Sequence, residues 1–305
     1  MRRNVVLDCD PGHDDAIAIL LLCYSDEFNL LGVTSCAGNQ TIEKTSKNVT
    51  NLLNFFSKEN VPIAKGSSNP IVRPIRTCPE IHGESGLDGF DFPEYKEKYD
   101  PRPAYKFLID VIKENEDITV ITTGPMTNLG LAFKEDSSIA NNIKEIVLMG
   151  GSTTEGNITK AAEFNILVDP EAADICFRSG VPLRMLGLNV TRRILVTNEV
   201  IAKAQEINTR CSDLFVKLMK VFNENQNKYF GLPFGPLHDP ATVISLINKD
   251  AFTFKKMNVS IDTSDTELAG KTICVDKPPY NCEVAIDVNV DNYWDEIYKH
   301  LMRCE

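Results

Sequence analysis

Short apolar runs, each closed by Gly, Asp, Asn or Thr and followed by a helical period, recur along most of this chain, at residues 5–7, 30–34, 118–122, 146–149 and 183–186. Unbroken apolarity, in place of strict alternation, marks strands covered on both faces, the habit of parallel sheets. Amphipathic stretches at 15–23, 43–56, 104–113, 128–133 and 170–178 fall between the runs. This repetition predicts βα units wound into an open, mostly parallel, doubly wound α/β sheet of the Rossmann-like kind. The last third changes character: 197–228 reads as helical, 254–261, 272–275 and 283–290 as further strands, and a final helix follows from Tyr293. These are taken as C-terminal helical and strand embellishments of a single domain over 1–305. Residues 66–103, rich in Pro, Gly and charge, are too long for an ordinary connection and are expected to make a functional excursion over one face.

With 305 residues, 43% of them hydrophobic and 25% charged, the chain has ample material for a sizeable core. Its net charge of −11 speaks against a phosphate-backbone groove, which needs a Lys/Arg-rich stripe, so no nucleic-acid partner is expected. No run of roughly eighteen apolar residues occurs, and acid follows Met1-Arg2-Arg3 too early for a signal peptide. A soluble, cytoplasmic protein with no membrane partner is the expectation. The nine cysteines are an odd count without a C-x-x-C pair, which suggests neither a disulfide framework nor a zinc site; most should be small buried hydrophobes.

In an open α/β sheet, ligands bind beyond the carboxyl ends of the strands. Four carboxylates, Asp8, Asp10, Asp14 and Asp15, crowd into eight residues where the first strand ends and the first helix begins. Pro11 withholds a ladder donor and Gly12 permits a tight bend. Asp14 and Asp15 can be explained as helix caps, but Asp8 and Asp10 belong to the strand end. Like charges this close repel unless they keep protons or a cation neutralises them, which favours a hard-cation site. Oxygen-only donors suit Ca²⁺ or Mg²⁺ rather than zinc, and the spacing is not that of an EF-hand.

Three further clusters follow. Thr122-Thr123-Gly124-Pro125 closes a strand, and its Gly-Pro turn can aim a backbone carbonyl outward. Met149-Gly150-Gly151, Asn157 and Glu163-Phe164-Asn165 gather amides and a carboxylate suited to a polyhydroxylated ligand such as a sugar, or simply to a hydrogen-bonded loop. His238-Asp239-Pro240 precedes an apolar helical run, where Asp239 can serve as an N-cap with Pro240 at the first helical position. His238 is one of only four histidines.

Taken in order over nearly the whole chain, Asp8-Cys9-Asp10-Pro11-Gly12-His13-Asp14-Asp15-Ala16, Ala37-Gly38-Asn39, Gly124-Pro125-x-Thr127-Asn128, Met149-Gly150-Gly151, Ala162-Glu163-Phe164-Asn165 and His238-Asp239-Pro240 resemble the inosine-uridine-preferring nucleoside hydrolase family. The resemblance implies a calcium-dependent hydrolysis of the N-glycosidic bond of purine or pyrimidine ribonucleosides, releasing ribose and the free base. Asp10, Asp15, the Thr123 carbonyl and Asp239 match the family's calcium ligands, and Asp10 also matches the base that takes a proton from the attacking water. Asp14, Asn39, Asn157, Glu163 and Asn165 match ribose contacts, and Met149 lies where the family lines the sugar pocket. His238 matches the proton donor to the leaving base; His82 and Tyr229 match positions near the base. A homodimer or homotetramer is also implied. Asp8 receives no role.

The stretch Ile81-His82-Gly83-Glu84-Ser85-Gly86-Leu87-Asp88-Gly89 departs from the family's His-Gly-x-Asp-Gly-Leu-Gly-Gly, with Ser85 for an acid and Asp88 for a glycine. The loop beside the base should therefore differ. Two other classes compete with a hydrolase. A non-catalytic nucleoside-binding protein would keep the ribose contacts yet has no need of Asp10 or His238. A haloacid-dehalogenase-like phosphatase also starts with Asp-x-Asp at a strand end, but would not continue with Pro-Gly and a second acidic pair.

Overall fold

The computed structural model describes residues 2–304. Its strands are β1 (Arg3–Cys9), β2 (Phe28–Ser35), β3 (Ile63–Lys65), β4 (Ile118–Thr122), β5 (Ile143–Met149), β6 (Leu183–Leu186), β7 (Phe252–Ile261), β8 (Thr272–Val275) and β9 (Cys282–Val288). They form one sheet in the order β3-β2-β1-β4-β5-β6-β9-β7-β8. Pairing is parallel from β3 through to β9, and β7 runs antiparallel to both β9 and β8. The expected doubly wound α/β sheet is present, extended by the three late strands. β3 is the one strand the sequence does not announce, because three residues are too few to show a period.

Successive side chains of the central strands enter opposite cores. Val5, Leu7 and Cys9 join one apolar cluster while Val6 joins the other, and Ile121 and Val147 oppose Val120, Ile146 and Leu148 in the same way. Helices Ala104–Lys113, Thr127–Glu135 and Pro170–Phe177 cover one face. Helices His13–Tyr24, Ile42–Phe55, Asn198–Ile207, Arg210–Phe230, Pro240–Ile247 and Val290–Leu301 cover the other. On that face the first helix packs against Ile42–Phe55, Arg210–Phe230, Pro240–Ile247 and Val290–Leu301. From Ala16 to Leu22 no residue is more than 3% exposed. The stretch read as amphipathic is thus apolar all round, as a helix enclosed on every side must be.

The excursion 66–103 contains only the short helix Pro79–His82. Side chains of the main body hold it down. Arg73 forks onto Glu171 with bonds of 2.9 to 3.1 Å, Gln40 Nε2 donates to the Gly83 carbonyl at 2.8 Å, and Asn48 Nδ2 donates to those of Pro11 and Ser85. One expectation about cysteine needs correction. Cys211 and Cys304 are disulfide-bonded, their Cα atoms 5.7 Å apart and 93 residues apart in sequence. The pairing follows from the final helix returning beside the start of Arg210–Phe230, which no local spacing reveals. Six of the other seven cysteines are buried, and Cys274 is half-buried.

Candidate active site

The strand order reverses between β1 and β4, since β2 and β3 lie on one side of β1 and β5 and β6 on the far side of β4. At such a switch point the loops leaving the strands diverge and open a crevice. The acidic turn leaves β1 there and Thr123-Gly124 leaves β4. Asp10 sits at the bottom, fully buried. Its Oδ2 accepts the Asn39 backbone N–H at 2.7 Å, whereas Oδ1 is buried with no partner. A Cβ on Gly38 would fall 2.1 Å from Oδ2, and one on Gly124 would fall 2.5 Å from Oδ1. Only glycines let these two loops close on the carboxylate.

Near Asp10, carboxylate oxygens of Asp14, Asp15 and Asp239 lie within 4.8 Å of one another, all three residues buried. Burial, with the charge of Asp15 adding, pushes Asp14 up to about 7; burial pushes Asp15 up to about 6 against the bonds it accepts from Gly12 and Thr123. Burial lifts Asp239 well above the carboxylate range, with Asp14 and Asp15 reinforcing it, and lifts Asp10 likewise, with Asp15 reinforcing it. Carboxylates crowded this way hold protons until a cation replaces them. The orphaned Asp10 Oδ1 and the three clustered acids are oxygen donors of the kind a hard metal ion takes. The arrangement differs in one respect from that implied by resemblance. Asp14, not Asp10, completes the tight trio with Asp15 and Asp239, and the Thr123 carbonyl accepts Asn165 Nδ2 at 2.8 Å while its Oγ1 donates to Asp15 Oδ1 at 2.7 Å.

Asp8 has a partner set of its own. Its Oδ1 accepts Thr34 Oγ1 at 2.7 Å and Asn128 Nδ2 at 2.8 Å, so it pins β1 to β2 and to the helix after β4. The register places Asp8 opposite Thr34 and Thr122.

A cavity of about 520 Å³ opens over this floor. Asp14, Asn39, Thr123, Met149, Asn157, Glu163, Asn165 and Asp239 all line it. Asn39 Nδ2 bridges the Asp10 carbonyl and Asp15 Oδ2, at 3.1 and 3.2 Å. Glu163 accepts the backbone N–H groups of Asn165, Gly151 and Ile166 at 2.9 to 3.1 Å, yet burial outweighs them and lifts it to about 7. Asn165 Nδ2 also reaches the Met149 carbonyl at 3.1 Å, and Asn157 Oδ1 accepts the Phe164 N–H at 2.9 Å.

Two histidines line the wall. His238 Nδ1 lies 2.7 Å from Thr191 Oγ1, and burial with the charge of Arg192 pushes the imidazole down to about 3. His82 Nδ1 accepts the His13 backbone N–H at 3.1 Å, while His13 Nε2 meets the Asp88 carbonyl at 2.8 Å. Burial, and secondarily the charges of His13 and His238, hold His82 well below its ordinary range. The altered loop explains its own departures: the Asp88 carboxylate accepts bonds from Glu84 N, Ser85 N and Ser85 Oγ, knotting 84–88 beneath His13.

Tyr229 is not brought to the cavity. It is 48% exposed, with the Lys228 ammonium 4.7 Å from its ring centre. Its neighbour Phe230 lines the cavity instead, with Phe222 and Gln226. These three residues recur every fourth position on helix Arg210–Phe230, and Tyr229 stands about 100° around the helix from Phe230. That spacing was the available signal for them. Thr191 and Arg192, at the end of the helical turn Leu188–Thr191, carried none, because their contacts with His238 and with the Glu155 and Gly156 carbonyls join segments far apart in sequence.

The model of the inosine-uridine preferring nucleoside hydrolase family matches residues 5–295. The chain is 39% identical over 298 residues to the pyrimidine-specific ribonucleoside hydrolase RihB of Shigella flexneri serotype 5b, covering 96% of this chain and 95% of the relative. It is 39% identical over 308 residues to the pyrimidine-specific ribonucleoside hydrolase RihA of Photobacterium profundum, covering 99% of each. The solved structure of a purine-preferring ribonucleoside hydrolase from Gardnerella vaginalis superposes with a TM-score of 0.92 at 30% identity, over 98% of both chains. The chain belongs to the inosine-uridine preferring nucleoside hydrolase family. It is accordingly an N-glycosidase of nucleosides. Among the described residues no helix is long and apolar enough to cross a membrane.

Proposed function

We propose that the protein hydrolyses ribonucleosides, pyrimidine ribonucleosides foremost, with calcium as its metal and Asp10 as the base. The observation that carries this reading is the buried, unpartnered Asp10 Oδ1 near a trio of acids, two of which, Asp14 and Asp239, line a cavity that also holds amides and His238. The pyrimidine preference is supported by the two relatives above that are 39% identical over almost their whole length.

Cleaving an N-ribosidic bond builds positive charge on the sugar, and water must arrive on the face opposite the base. Asp10 accepts a proton from that water as the oxygen bonds to C1′. Asp14, Asn39, Asn157, Glu163 and Asn165 grip the ribose hydroxyls and fix C1′ relative to Asp10, so orientation is settled on binding. His238 is the hydrogen-bond donor to the base as the base takes the electron pair of the broken bond, and His82 lines the same cavity. Calcium held by Asp10, Asp15, Asp239 and the Thr123 carbonyl would supply orientation and acidify the water. Assembly as a homodimer or homotetramer and a cytoplasmic location belong to the same proposal, as properties suited to an acidic enzyme of this family.

The test is reducing-sugar release from uridine, cytidine and inosine in the presence of calcium. Turnover of uridine and cytidine above that of inosine supports the reading; binding of all three without any sugar release would make this a nucleoside-binding protein.

A further inference from the structure

We infer that Thr191 is a positioning residue for the reaction: its hydroxyl fixes His238 as the tautomer with hydrogen on Nε2. The inference rests on the reading of His238 as donor to the leaving base. Thr191 is fully buried, with Oγ1 2.7 Å from His238 Nδ1. Among the described residues this is the only hydrogen bond of that hydroxyl. A buried hydroxyl has one proton to place, and His238 Nδ1 is the acceptor it is bonded to. Nδ1 is then the accepting nitrogen, and Nε2, which has no protein partner among the described residues in a ring lining the cavity, carries the hydrogen.

The hydroxyl is held firmly enough to do this. Thr191 closes the single helical turn Leu188–Thr191, whose Leu188 N–H donates to the Gly151 carbonyl at 2.9 Å and whose Asn189 Nδ2 donates to the Ala285 carbonyl at 2.7 Å. A neutral imidazole so fixed gives a hydrogen bond to a base atom as the C1′–N electron pair moves onto the base; the Nε2 proton stays on the ring, and the base leaves as a hydrogen-bonded anion that takes its proton from water afterwards. Without the Thr191 donor the ring is free to place its hydrogen on Nδ1 and to present only a lone pair to the base. His82 offers an internal control. Its Nδ1 is capped by the His13 backbone N–H, a donor that no change at Thr191 removes.

The experiment compares wild type, Thr191→Val, Thr191→Ser and His238→Ala with calcium present, on uridine and on 4-nitrophenyl β-ribofuranoside. The nitrophenolate leaves without help from a donor. Thr191→Val should lower kcat for uridine by roughly 10- to 100-fold with KM within about twofold, and leave the nitrophenyl riboside rate within about threefold. Thr191→Ser should restore uridine turnover to within about threefold of wild type. Nitrogen-15 spectra should show His238 protonated on Nε2 in wild type and shifted toward Nδ1 in Thr191→Val, with His82 unchanged. Equal losses on both substrates, no loss on uridine, or a wild-type His238 protonated on Nδ1 overturns the role of Thr191. Full uridine turnover by His238→Ala instead overturns the reading of His238 beneath it.

Discussion

Asn39 donates its backbone N–H to one oxygen of Asp10 at 2.7 Å and leaves the other oxygen buried and unmatched. The carboxylate is thereby fixed in direction with one lone-pair face free, the state required of a base that must meet a water. Asp10→Asn keeps the shape and removes the basicity. We expect kcat on uridine to fall by roughly 10²- to 10⁴-fold, with uridine still bound. Steady-state rates together with calorimetric binding check this, and near wild-type turnover would remove Asp10 from its role.

Gly124 is where the β4 loop touches that free oxygen. A methyl group at this position would press on both Asp10 Oδ1 and Cys36 Sγ, 2.5 and 2.8 Å away. Gly124→Ala should cost about 1–3 kcal/mol of stability and roughly 100-fold in activity, because the base is displaced. Urea melts and kcat measured on the same preparation test both halves.

Asp8 and Asn128 form a structural pair under the site. Asn128 Nδ2 donates to Asp8 and to the Ser35 carbonyl, and its Oδ1 accepts the Ser67 N–H. Asn128→Ala strands these buried groups and should cost about 3 kcal/mol in urea unfolding. A change below about 0.5 kcal/mol would mean that the network contributes nothing.

Glu163 makes stability depend on pH. Burial lifts its folded-state value to about 7 from an ordinary 4.5, so between these limits the folded protein binds more protons than the unfolded chain. Its contribution is therefore full below 4.5 and is lost as pH rises through about 7, by at most about 3 kcal/mol. Urea midpoints of the metal-free protein between pH 5 and pH 8, approximately, should fall with pH, and Glu163→Gln should flatten that slope. A slope identical in the variant would assign it to other groups.

The sugar contacts make a prediction about substrate. A floor of carboxylates and amides built for hydroxyls leaves polar groups unpaired when a hydroxyl is missing. Turnover of 2′-deoxyuridine should be roughly 10³-fold below that of uridine, and equal rates would contradict the ribose assignment of Asp14 and Asn39.

The sheet was legible because buried parallel strands leave unbroken apolar runs, and β6 begins and ends where its run does, at Leu183 and Leu186. The carboxylate turn announced itself through charge density alone. What could not be read depends on contacts between distant segments. Nothing local joins Cys211 to Cys304, and nothing in the acidic turn distinguishes Asp14, grouped with Asp239, from Asp10, which stands outside that trio. Phe230 in place of Tyr229 is a matter of helix rotation, one residue being enough to turn a side chain out of the cavity. The purpose of Asp8 required knowing that β1 lies between β2 and β4, because only then do Thr34 and Asn128 approach it.

The most direct test of a metal-assisted ribonucleoside hydrolase is reducing-sugar release from uridine by the same protein before chelation, after thorough chelation and after calcium is restored. The expected result is a rate that drops to background on chelation and returns with calcium. An undiminished rate in the chelated protein would contradict the calcium site proposed at Asp10, Asp15, Asp239 and Thr123.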